Sequence, residues 1–105
     1  MSIASYRNRD GEYVFEIYEP ELNKYLMEWY ISTIKSGIEK YRPTICLFDF
    51  SIIKCLDESG VELIAQTLRI IEERNGKLLI CGLQKHPMKV FMESEVSQKA
   101  EIKKT

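Results

Sequence analysis

The chain has 105 residues, 45% of them hydrophobic and 30% charged, with a formal net charge of −1 at neutral pH. That length and apolar content build one small domain, residues 1–105, whose single core needs no metal or disulfide to fold. The near-zero charge excludes non-specific nucleic-acid binding, which rests on a dense positive field.

In chain order, Ser5 to Arg9 and Glu12 to Tyr18 flank Asp10-Gly11. Asp-Gly predicts a tight hairpin turn with positive φ at both central positions, joining a short edge strand to the alternating run Tyr13–Tyr18. Pro20 is suited to a first helical position, where no N–H is needed. From there Leu22, Leu26, Trp29, Tyr30, Thr33, Ile34, Gly37, Ile38 and Tyr41 recur at helical spacing, predicting a helix that ends near Lys40 before Pro43. Thr44 to Phe50 is apolar on both faces apart from Asp49 and reads as a buried strand.

Val61, Ile64, Ala65, Leu68 and Ile71 predict the core face of a second helix, with Leu63 and Ile70 either rim core residues or an exposed patch for a partner. Asn75-Gly76 predicts a left-handed end to that helix, and Lys77 to Gly82 a second buried strand. A helix between two such strands makes them parallel. A short helix from about His86 to Glu93, with Val90 and Phe91 inward, precedes a polar tail from about Ser94. That tail is frayed or forms a weak edge strand near Ala100–Lys103.

Between the central strand and the second helix lies Asp57-Glu58-Ser59-Gly60-Val61. Free N–H groups and partial positive charge gather at a helix start. A serine there either caps the helix or carries a phosphate that the same donors stabilise. Ser59 followed by Glu62 fits a capping box, which needs no partner at all. Both roles stay open on the residues alone.

The order hairpin, helix, strand, Asp-x-Ser-Gly loop, helix, strand, helix resembles the STAS domain, the fold of sulfate transporters and anti-sigma factor antagonists. The match runs from Ile45 to Phe91 and includes Asp49-Phe50-Ser51, Asp57-Glu58-Ser59-Gly60-Val61 and Asn75 to Leu83. It implies an α/β fold with a mixed central sheet of about four strands and helices mainly on one side. It further implies an anti-anti-sigma factor, a bacterial phosphoprotein in transcription regulation, whose partner is an anti-sigma factor with serine kinase activity. In that scheme phosphorylation of Ser59 ends the association, Asp57 fixes the loop, and Glu58, Gly60, Val61 and Leu63 complete the partner-binding surface. The family also implies an alternative, a cytoplasmic regulatory subunit bound to a membrane transporter ATPase, or a scaffold in a stress-signalling assembly. Two departures stand out. Glu58 replaces the family's small residue before the serine, and Ser94-Glu95-Val96 replaces a Thr-Gly-Leu-like turn.

No Walker loop, GxSxG, GxGxxG or metal-ligand pair occurs, and His86 is the sole histidine, so neither an enzyme, a cofactor nor a metal is expected. Cys46, Cys55 and Cys81 lack CxxC spacing and read as reduced thiols in a cytoplasm. The start of the chain has no signal-peptide pattern, and no apolar run reaches the roughly 20 residues of a membrane span.

Overall fold

The structure, a computed structural model, describes residues 3–22 and 24–104. Strands β1 (Ile3–Arg7) and β2 (Tyr13–Ile17) pair antiparallel at one edge of the sheet. Their connection is longer than the two-residue turn expected of Asp10-Gly11. Gly11 N donates to Asn8 O, Asn8 N donates to Glu12 O, and the Asn8 side-chain oxygen accepts from Asp10 N and Glu12 N. Only Gly11 (φ 81°) is left-handed there. Asn8 satisfies the loop's N–H groups and so fixes a turn closed by a glycine bulge.

The first helix starts later than Pro20. The Pro20 carbonyl accepts from Lys54 N (2.8 Å) and Cys55 N (3.3 Å), and Glu21 bridges Cys55 as in a parallel ladder. A carbonyl held by a distant loop cannot seed an intrahelical bond, so this segment stays extended. A 3₁₀ turn at Lys24–Leu26 leads into α1 (Met27–Tyr41), which ends as left-handed Arg42 returns its N–H to Ile38 O.

Strand β3 (Ile45–Asp49) lies parallel to β2, helix α2 (Glu58–Glu72) crosses over, and β4 (Lys77–Cys81) lies parallel to β3. The expected left-handed end of α2 is present, with Asn75 (φ 59°) as its left-handed residue. Helix α3 (Lys85–Glu93) and a 3₁₀ turn at Glu95–Gln98 follow. The tail then forms β5 (Glu101–Ile102), parallel to β4, so the sheet has five strands in the order β1-β2-β3-β4-β5.

Tyr13, Phe15, Ile17, Cys46, Phe48, Leu78 and Ile80 share one sheet face and pack against Tyr30, Ile34 and Ile38 of α1, Leu63, Ile64, Leu68 and Ile71 of α2, and Phe91 of α3. The opposite face carries a small apolar strip of Val14, Leu47 and Cys81 with Leu79 beside it. At the far edge Lys103 Nζ reaches back to Glu12 Oε1 (2.6 Å) and Asp10 Oδ2 (3.1 Å), tying the last strand to the first hairpin.

The buried face of α2 differs from the expected one. Gly60, Leu63, Ile64, Thr67, Leu68 and Ile71 are buried, whereas Val61 and Ala65 are half-buried at its margin. Thr67 enters this face because its hydroxyl donates to Leu63 O (2.8 Å), which removes the penalty for burying it.

Candidate functional site

The loops that follow β3 and β4 are locked together before they deliver α2 and α3. Phe50 N donates to Cys81 O (3.0 Å), and Gln84 Nε2 donates to Ser51 O (2.8 Å). Gly82 is left-handed (φ 74°), and a Cβ there would stand 2.8 Å from Ser51 N. Asp49 accepts from Ser51 N (3.0 Å), which is a turn-fixing role. Phe50, Ile53 and Leu56 are buried anchors along the β3–α2 loop, so Asp57 arrives at a fixed point.

Asp57 is extended and caps α2. One of its carboxylate oxygens accepts from Ser59 N (2.9 Å) and Gly60 N (3.3 Å), and its carbonyl accepts from Val61 N (3.1 Å). The capping box expected of Ser59 and Glu62 is therefore absent: the cap is two residues earlier. Ser59 sits in the first turn, half-buried, and its hydroxyl meets no hydrogen-bond partner among the described residues. Glu62 instead accepts from Gln66 and approaches Arg69 at 3.7 Å. Glycine at 60 is steric, since a Cβ would stand 2.2 Å from Leu56 Cδ1 and 3.1 Å from Leu22 Cδ1.

The structure brings Asp57, Glu58, Ser59, Gly60 and Val61 into one helical turn but separates them by role. Asp57, Glu58, Val61 and Glu62 line one wall of a groove of about 610 Å³, with Val90, Glu93 and Ser94 opposite. A second groove of about 310 Å³ runs on the other side of Asp57, past Leu56, Cys55, Leu22 and His86. Leu63 does not join this surface: it is 0% exposed in the core, because α1 and the sheet close over that side of α2. Ile70 is half-buried and packed on the core margin. Gln84, Val90 and Glu93 carry no motif; the bond to Ser51 O brings Gln84 to the loop, and the groove between α2 and α3 brings Val90 and Glu93 there.

Cysteine nucleophile chemistry finds little support. Burial pushes the Cys46 thiol up to about 12, and burial with the nearby Asp49 charge pushes Cys81 up to about 11, so both stay protonated at neutral pH. Cys55 is exposed but unpaired with another thiol. Among the described residues no cluster of His, Cys, Asp or Glu could hold a metal ion, and no helix is long and apolar enough to cross a membrane.

The STAS domain profile matches residues 11–105, nearly the whole chain. The chain belongs to the STAS family. No curated protein matches it in sequence. Among solved structures, a STAS domain protein from Planctomyces limnophilus superposes with a TM-score of 0.85 at 16% identity, covering 100% of this chain and 92% of that one. The anti-sigma factor antagonist SpoIIAA in its unphosphorylated form gives 0.75 at 18% identity over 99% of this chain and 89% of that one. The phosphorylated Bacillus SpoIIAA gives 0.72 at 19% identity, covering 98% and 92%. At these identities the likeness is one of fold, and this STAS domain has anti-sigma factor antagonists among its structural neighbours.

Proposed function

We propose that this STAS domain is a non-enzymatic cytoplasmic adaptor that binds an anti-sigma factor with serine kinase activity and is released by phosphorylation of Ser59. The observation that carries this reading is the Ser59 hydroxyl, which has no hydrogen-bond partner among the described residues. Asp57 performs the capping, so the serine is left without a structural task while it sits on an accessible helix start. SpoIIAA, which shares the fold, exists in phosphorylated and unphosphorylated forms, and this is consistent with the reading.

The local electrostatics give the switch its sign. A phosphate adds about −1.5 to −2 charges at neutral pH. The N–H groups of Ser59 and Gly60 that would receive it are already held by the Asp57 carboxylate. Glu58 is adjacent, so the new charge is not neutralised within the domain and faces outward. A partner surface fitted to a neutral hydroxyl then meets an uncompensated dianion, which costs several kcal/mol without any change of fold.

The test is incubation with ATP and a serine kinase of the anti-sigma class, followed by mass-spectrometric site mapping. Phosphate is expected on Ser59 and not on Ser51 or Ser94, with Ser59→Ala unmodified and still bound to the kinase. Modification confined to other serines, or undiminished kinase binding by Ser59→Asp, overturns the reading.

A further inference from the structure

Helix α2 does not close fully against α3 and the 3₁₀ turn after it. Val61 and Ala65, expected in the core face of α2, stop half-buried, and Val90 and Val96 across the gap are half-buried as well. The groove of about 610 Å³ lies between Val61 and Val90. A second groove of about 240 Å³ takes up where it ends, since Ala65 follows Val61 by one turn and Glu95 follows Ser94. Val61, Ala65 and Leu68 are spaced by four and three residues, an apolar stripe of about 10 Å along α2.

The rim changes charge along this stripe. Asp57, Glu58, Glu62 and Glu93 stand around the first groove, whose lining holds no Lys, Arg or His. Glu58 and Glu93 have no ion-pair partner among the described residues, and Glu62 has only Arg69 at 3.7 Å. Around the second groove Arg69 and Lys99 stand with Glu72 and Glu95, so the charge there is balanced. The whole chain has a net charge of only −1, so this gathering of carboxylates around an apolar floor is local and does not follow from composition.

A bare cation would meet the carboxylates and leave the valines wet. An apolar side chain alone would dry the groove and leave the carboxylates unpaired. A chain segment that carries both kinds of side chain satisfies the two together. We infer that this groove docks a short linear segment of a protein partner in which Arg or Lys flanks large apolar residues, with its basic end beside Asp57. The apolar residues complete the burial of Val61, Ala65 and Val90, and the cations face Glu58, Glu62 and Glu93.

This docking is independent of the Ser59 switch and responds to it with the opposite sign. Ser59 lines neither groove. A phosphate there adds negative charge beside Glu58, which strengthens the attraction for a basic segment. The occupant of the groove is therefore a different partner from the one that needs a neutral hydroxyl.

The test is an NMR titration of the full chain, at low salt, with the blocked hexapeptide Arg-Leu-Arg-Arg-Leu-Arg. Saturable amide shifts are expected at Val61, Ala65, Val90 and Ser94, with affinity falling several-fold in high salt. The same peptide with glycine for leucine, or with glutamine for arginine, should bind about fivefold more weakly or worse. Glu58→Gln/Glu93→Gln and Val61→Ala/Val90→Ala should each weaken the parent peptide about fivefold at unchanged circular dichroism. The two peptide controls use the parent chain, so they decide even where a variant loses its fold. Ser59→Asp should bind the parent peptide as tightly or more tightly. Equal affinity for the glycine peptide would reduce the groove to an adventitious counter-ion patch and overturn the proposal. Equal affinity for the glutamine peptide, no saturable shifts, shifts confined to the Asp10–Glu12 turn, or weaker binding by Ser59→Asp would each overturn it too.

Discussion

At the scale of single residues, the division of labour between Asp57 and Ser59 decides what the site can do. Two residues able to cap a helix stand two apart, and the pattern Ser-x-x-Glu favours the second of them. What decides against it is the approach of α2 to Leu56 and Leu22, which needs glycine at 60 and places the helix start at Glu58. Leu22 is distant in sequence, and the inward turn of Leu56 follows from the path of the whole β3–α2 loop, so the Ser-x-x-Glu pattern does not expose the contact. The energetic consequence is measurable. Asp57→Ala removes the acceptor for two N–H groups and should cost about 1 kcal/mol in urea denaturation. Ser59→Ala removes no hydrogen bond seen in the fold and should stay within about 0.5 kcal/mol of the parent. Equal losses for the two would mean that Ser59 shares the cap.

Elements came through unevenly, for a reason that lies in their hydrogen bonds. The strands β3 and β4 and the helix between them follow from apolar periodicity, because each buries a continuous face. The false helix start at Pro20 arose because a carbonyl's long-range partners, Lys54 and Cys55, leave no trace in the local sequence. The junction of the β3 and β4 loops gives a direct test. Gly82→Ala meets both a left-handed backbone and the Ser51 backbone, neither of which can yield cheaply, and should destabilise by about 2 kcal/mol or more. Insertion of alanine without loss would show that these two loops are not locked.

The last strand, legible only as a frayed tail or a weak edge, depends on the Lys103 contact. Hydrogen bonding from Lys103, and then from Asn8, holds the Glu12 carboxyl below its ordinary value, and Lys103 is raised mainly by the same bond to Glu12. A depressed carboxylate contributes stability that is complete above its unfolded pKa and is lost as pH falls through the folded one. The raised lysine contributes below its unfolded pKa and loses that contribution as pH rises through the folded value. The latch is therefore closed across neutral pH, and it opens only on acidification past the ordinary carboxylate range or on alkalinisation past the ordinary lysine range. Hydrogen exchange at the β4–β5 pairing should accelerate on acidification in the parent. In Glu12→Gln it should be fast already at neutral pH, with no further acid response from this site. Identical acid profiles for the two would remove Glu12 from the latch.

For the molecule as a whole, the two sheet faces are unequal, and the site draws its rigidity from the larger one. All three helices pack on the face built from Tyr13, Phe15, Phe48 and Ile80, where Phe48 is 0% exposed and stacks against Phe50 at the head of the β3–α2 loop. The other face has only its short apolar strip, and Leu79 there is half-buried beside charged neighbours such as the Lys77–Glu101 pair. Truncating a wholly buried aromatic leaves a cavity that close-packed neighbours fill poorly, whereas a half-exposed leucine gives up less apolar area and leaves a gap open to water. Phe48→Ala should therefore cost about 3–5 kcal/mol, a large part of the roughly 5–15 kcal/mol that holds a domain of this size folded. Leu79→Ala should cost about 1–2 kcal/mol. Because Phe48 backs Phe50, the loss in Phe48→Ala should extend to the β3–α2 loop, with faster amide exchange at Ser59 and Gly60 than in Leu79→Ala compared at equal global stability. Equal exchange in the two variants would show that the loop is held by its own hydrogen bonds, Asp57 foremost, and not by the core beneath it.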